Sequence, residues 1–189
     1  LVQFAIMGSI FMRLRFGVDN PSVGLLSVGE EETKGNALIL ETIPLMKNVG
    51  INFKGPVEGH ALPSGAVDVL VADGFVGNVA LKVSEGLGKV IFKMLKDQIQ
   101  RKFTYKIGAL LMKRIFTGLR KKMSADEYGG APLLGVNGVV LICHGKANPR
   151  TIFRAIENAG DLAGSGMMEK IKKHMETVKD RIAGGRGEE

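Results

Sequence analysis

The chain has one cysteine, Cys143, and three histidines in 189 residues. A lone thiol excludes an intrachain disulfide framework and fits a reducing cytoplasm. His60, His144 and His174 stand far apart, and no CxxC or HExxH spacing occurs, so no zinc site is expected. No GxGxxG follows an apolar run, which weakens a nicotinamide-dependent dehydrogenase reading. Long apolar runs are missing too. The opening LVQFAIMGSIFM is too short to cross a bilayer, and no charged n-region or cleavage site marks it as a signal peptide. It starts at Leu1 and reads as the middle of an amphipathic helix, so an N-terminally truncated or excised chain is expected.

Acidic residues are scarce in one place only. Between Lys93 and Met123, Asp97 faces seven lysines and three arginines, a net +9. The whole chain carries +7, so the remainder is near −2. The protein is therefore a near-neutral domain with one basic segment.

Apolar residues make up 45% of the chain, charged residues 24%, and there are 26 glycines, a globular profile rich in tight turns. The expected organisation is one α/β domain over 1–189, with a basic helical excursion at 93–123 and a flexible tail at 183–189. Residues 1–16 read as a helix stopped at FGVDNPS. Apolar runs at 23–29, 66–74 and 139–143 read as buried strands, and 51–59 as a strand and loop. Helical patterns cover EEETKGNALILETIPLMKNVG (30–50, with a kink allowed at Pro44), about 76–102, 149–159 and 164–182. Continuous apolar strands alternating with helices predict a mostly parallel sheet covered on both faces. Ligands in such sheets sit at the carboxyl ends of the strands.

Three polar motifs fall at those ends. DGFVGN (73–78) follows an apolar strand and opens a helix. Backbone N–H groups from Gly74 to Gly77 can converge on an anion there, with Asp73 beside them, Asn78 as an amide donor and Lys82 one turn on. The alternative is a plain strand-to-helix turn capped by Asn78. GEEETKGN (29–36) holds three carboxylates, which the first turn of a helix favours anyway, and Lys34 and Asn36, which that explanation does not cover. HGKAN (144–148) puts His144 after a strand, able to donate to a phosphate oxygen or to move its proton, or simply bonded to a neighbouring carbonyl. Cys143 beside it reads as a packed strand residue, and His60 and His174 as surface residues. YGGAPLLG, with Gly129 and Gly130, fits a sharp pocket-lining loop or a chain reversal.

Ile107, Leu111, Ile115, Leu119 and Met123 recur every four residues, with Lys102, Lys106, Lys113 and Arg120 on the other side. Such a face can lie on anionic lipid; the alternative is a helix packed on a core with a solvated charged side. Phe103, Tyr105 and Phe116 are too few to make a stacking platform, so no nucleic acid is expected.

LVQFAIMGSIF, NPSVGLLSVGEEETKGN, INFKGPVEG, DVLVADGFVGNVALKVSEG, EYGGAPLLGVNGVV and HGKAN, in this order over about residues 1–160, resemble the bacterial phosphate acyltransferase family of phospholipid synthesis. The resemblance implies acyl-[acyl carrier protein] and orthophosphate as substrates and acyl phosphate as product. It also implies a three-layer α/β/α fold like that of isocitrate and isopropylmalate dehydrogenases, a homodimer, and no cofactor. The family usually has Asn where this chain has Pro56, and its N-terminal portion with a GGD-type motif is not in these residues. On this resemblance His144, Lys82 and Asn78 are the expected catalytic groups, and Asp73, Gly74, Gly77, Lys34, Asn36, Gly129 and Gly130 the phosphate-site residues. Ile107, Leu111, Ile115, Lys106, Lys113 and Arg120 would meet the inner face of the cell membrane. There a downstream glycerol-3-phosphate acyltransferase would take the product. The competing expectation is a non-catalytic scaffold of the same fold.

Overall fold

The computed structural model describes residues 1–122 and 129–184. Among these, helices α1 (Val2–Phe16), α2 (Ala37–Asn48), α3 (Ala61–Ser64), α4 (Gly74–Gln100), α5 (Phe103–Leu111), α6 (Lys113–Lys122), α7 (Pro149–Gly164) and α8 (Met167–Gly184) accompany five strands. The strands are β1 (Ser22–Leu26), β2 (Asn52–Val57), β3 (Val69–Val71), β4 (Ala131–Pro132) and β5 (Leu141–Ile142). The chain is α/β. It divides into two compact units: 1–77 with 134–139 and 161–189, and 78–133 with 140–160.

The first unit is built on a parallel sheet in the order β2–β1–β3. The central strand supplies Val23, Leu25 and Leu26 to the core, which continues through Ile6 of α1, Ile39, Ile43 and Met46 of α2, Val71 of β3 and Val178 of α8. A strand buried this completely needs apolar residues on both faces, as its unbroken pattern announced. Packing against β3 is tight at Gly8 of α1, where an added Cβ would lie 2.6 Å from Val69 Cγ1. The amino ends of β1 and β3 are fastened by Asp68, whose carboxylate accepts from the Ser22 amide (2.7 Å) and hydroxyl (2.6 Å). The Asp68 amide in turn donates to Ser22 Oγ at 3.0 Å. These bonds, the hydroxyl's first, hold the Asp68 carboxyl below the usual range.

Two expectations about the elements are corrected. Residues 30–36 are not helical: α2 begins at Ala37, because Asn36 accepts the Ile39 amide at 3.0 Å and caps it. The helix then runs through Pro44 to Asn48. The run 139–143 is not a buried parallel strand. Only Leu141 and Ile142 pair, antiparallel to β4, in the second unit, and Val140 and Ile142 are exposed. Residues 183–184 complete α8, whereas 185–189 of the expected tail lie outside the described residues.

Candidate functional site

Two of the three polar motifs leave the carboxyl edge of the same parallel sheet. Leu25 of β1 pairs with Val71 of β3, and two residues beyond that pair stand Ser27 and Asp73. From Ser27 the chain forms a tight loop. Ser27 N–H donates to the Val57 carbonyl and Ser27 Oγ to the Lys34 carbonyl, at 2.9 and 3.2 Å. Lys34 Nζ sits 2.9 Å from Glu31 Oε1, and Lys47 Nζ lies 2.6 Å from Glu32 Oε2. The hydrogen bond between them pushes Glu31 down and Lys34 up from their ordinary values. Two of the three acids expected in a first helical turn, Glu31 and Glu32, thus serve as counter-charges in a loop. Asn36, expected at the phosphate site, has its Oδ1 on the Ile39 amide.

At the other strand end, Asp73 takes the place an anion would occupy. Its Oδ1 accepts the Phe75 and Val76 amides, each at 2.9 Å, and its carbonyl accepts the Gly77 amide at 2.9 Å. An aspartate cap of this kind satisfies the orphan donors of a helix start and places a negative charge on its dipole. The backbone cradle expected from Gly74 to Gly77 is therefore corrected: the amides of residues 75, 76 and 77 already have partners. So is the alternative role of Asn78, which lies inside α4 and is not its cap. An Asp immediately before a helical run is itself a capping signal, so this role of Asp73 is present in the sequence.

That assignment leaves the Asn78 side chain for other work. Asn78, Lys82, Glu85 and Lys89, spaced four, three and four apart, share one exposed face of α4. Lys82 Nζ is 3.5 Å from Glu85 Oε2, an exposed pair of small energetic weight.

The second unit also holds His144, Gly129 and Gly130. Gly129 is buried with φ 72°, and a Cβ there would lie 2.5 Å from the Ala155 amide nitrogen and 2.6 Å from the Arg154 carbonyl carbon of α7. Gly130 lies against β5: its Cβ would be 3.0 Å from the Ile142 carbonyl oxygen and 3.1 Å from Cys143 Sγ. Cys143 itself donates to the Gly129 carbonyl at 3.1 Å. The glycine pair is thus a close-packed junction of loop, strand and helix. His144 follows on an exposed turn, its Nδ1 accepting the Lys146 amide at 3.1 Å and its carbonyl accepting the Ala147 amide at 2.8 Å. Asn148 then caps α7 through the Thr151 amide at 3.0 Å. His60 is exposed as expected, but His174 is half-buried, with a shielded Nε2 that meets no hydrogen-bond partner among the described residues.

A family model described as fatty acid synthesis protein matches residues 1–170. The chain belongs to this family. Relatives named phosphate acyltransferase agree with it. The one from Elusimicrobium minutum (strain Pei191) is 49% identical over 180 residues, covering 95% of this chain and 53% of its own length. That from Geotalea uraniireducens (strain Rf4) is 51% identical over 176 residues, 93% of this chain and 51% of the relative. A third, from Geotalea daltonii, is 47% identical over 195 residues, with 97% and 56% covered. The chain spans about half the length of the curated relatives it matches. Membership of the fatty acid synthesis protein family confirms the resemblance read from the segments above.

Proposed function

We propose that the protein transfers a fatty acyl group from acyl-[acyl carrier protein] to orthophosphate, giving acyl phosphate for phospholipid synthesis. In that reaction a phosphate oxygen attacks the thioester carbon. The carbon–sulfur bond then breaks, and the carrier protein leaves as its thiol after taking up a proton. Phosphate is itself the nucleophile, so no side-chain nucleophile is required. The protein's task is to hold a dianion near the carbonyl and to stabilise the oxyanion that develops. The observation that carries the reading is the exposed Asn78–Lys82 pair, one turn into a helix whose own start is satisfied by Asp73. Phosphate is then held by side chains of the second unit: Lys82 and Asn78, with His144 and the Gly129–Gly130 loop in support. The test is phosphate-dependent thiol release by the full-length enzyme. Lys82→Ala and Asn78→Ala are each expected to lower it on the order of 10²-fold. Thiol release that is unchanged in both variants rejects the assignment. Vesicle binding without any thiol release favours the scaffold.

The family's dehydrogenase-like three-layer fold and homodimer belong to the same proposal. Along α4, Val76, Val79, Val83, Leu87, Val90 and Met94 form a stripe at three- and four-residue spacing, each between 40% and 63% exposed. A stripe of that period fits a second helix, and we assign it to a second copy of the chain. Light scattering checks this: Leu87→Asp is expected to halve the mass.

For the basic segment the reading is an interfacial one. The structure divides it into α4's end, α5 and α6, and Ile107, Leu111 and Ile115 are exposed along with Leu110 and Leu119. Lys106 and Lys113 are exposed too, while Lys102 lies over the Tyr105 ring at 5.5 Å. Arg120 falls in α6, and its side chain lies outside the described residues, as does Met123. No described residue of α5 is buried, which speaks for a surface role over core packing. No helix among the described residues is long and apolar enough to cross a membrane. The segment would lie on the anionic inner face of the cell membrane, or attract the acidic carrier protein, and deliver acyl phosphate to the next acyltransferase. Sedimentation with anionic but not zwitterionic vesicles is the expected outcome, and charge-independent binding rejects it.

A further inference from the structure

We infer that His144 serves the proposed acyl transfer as a fixed hydrogen-bond donor through Nε2–H, and not as a base. The inference rests on the acyl-transfer reading for its substrate and on geometry for the rest. A main-chain N–H can only donate, so the Lys146 amide, 3.1 Å from His144 Nδ1, requires a lone pair on that nitrogen. In the neutral ring the proton then sits on Nε2. Nε2 already carries its proton in this state, so the ring can take another only at Nδ1, giving an imidazolium whose Nδ1–H would point at the Lys146 N–H. Placing the proton on Nδ1 beforehand, to free Nε2, meets the same clash. Both routes leave the Lys146 amide without its acceptor, whereas donation from Nε2 disturbs nothing.

The neighbouring backbone holds this arrangement from both sides. After the ring, the Ala147 amide closes a turn on the His144 carbonyl at 2.8 Å, and Asn148 ties the next residues to the start of α7. Before it, Cys143 is bonded to the Gly129 carbonyl, and Gly129 is wedged against the α7 backbone. His144 itself is exposed, so its free nitrogen meets ligand or solvent. A rigid N–H donor of this kind suits an oxygen of inorganic phosphate or the thioester oxyanion. The Lys146 main-chain amide thereby becomes a positioning group, selecting the tautomer without touching substrate.

Glutamine and asparagine variants separate the roles, because a Gln amide nitrogen reaches about as far as Nε2 and an Asn amide nitrogen about as far as Nδ1. In the full-length enzyme, His144→Gln is expected to keep thiol release within about tenfold of the parent, while His144→Asn and His144→Ala lose on the order of 10²-fold. Gln as inactive as Ala overturns the donor role. Nitrogen-15 NMR of histidine-labelled protein gives a readout independent of turnover. It is expected to show His144 protonated at Nε2 and bare at Nδ1, with the Nε2–H signal moving when inorganic phosphate is added. A proton on Nδ1, or an Nε2–H signal indifferent to phosphate, overturns the inference. Should the parent release no thiol, the acyl-transfer reading fails by itself, and the phosphate-induced shift still decides the donor role.

Discussion

Helices α2 and α4 are both rich in apolar residues, yet the chain treats them in opposite ways. In α2, twelve residues long, Ile39, Thr42, Ile43 and Met46 are buried in the core of the parallel sheet. In α4, with 27 residues, none is buried, and its least exposed positions include the small residues Gly77, Ala80, Ser84 and Gly88. The period of apolar residues predicts helix in both cases. It does not say whether the covering surface belongs to the same chain. α2 contributes to the stability of the fold through its own buried face, whereas the apolar stripe of α4 is left exposed among the described residues.

Truncations test that contrast most sharply. Leu25→Ala, in the fully buried centre of β1, is expected to cost about 2–5 kcal/mol in denaturant unfolding. Next comes Gly129→Ala, where the new Cβ meets α7 backbone and φ is positive; a loss of about 1–3 kcal/mol is expected. Asn36→Ala removes the α2 cap and should cost about 1 kcal/mol, with Asn36→Asp restoring most of it. Leu87→Ala, at a site 58% exposed, should stay within about 0.5 kcal/mol in the isolated chain. If it costs as much as Leu25→Ala, the distinction between the two helices fails. The smallest effect is read against pH. Asp68 has a carboxyl lowered from its ordinary 3.8, so its contribution is complete above that value and is lost as pH falls through the lowered one. Asp68→Asn should therefore unfold more easily than the parent at neutral pH and converge with it in acid.

The first unit was largely legible because its signals are local. Gly17 accepts the left-handed conformation that ends α1, close to the stop read at FGVDNPS, and the buried β1 is an unbroken apolar run. The misreadings have physical causes. Acids before ALILET look like a first helical turn, but Asn36, a better cap, stands directly ahead of Ala37. VVLIC is apolar for five residues, and such a run does not reveal whether its neighbours will cover it. The four-residue spacing from Ile107 to Leu119 is real, yet the helix breaks at Met112, where no glycine or proline gives warning. At the site, the residue types at the strand ends were readable, while their partners were not. That Asp73 fills the helix start and Lys146 fixes the His144 ring depends on distances that only the folded chain supplies.

The order β2–β1–β3 puts both outer strands of the parallel sheet at an edge among the described residues. Each edge offers a row of main-chain donors and acceptors to any extended segment that arrives, irrespective of that segment's side chains. A ladder left open in this way can template further strands, so this half of the molecule is prepared both for lawful extension of its sheet and, at high concentration, for unwanted stacking with its own copies.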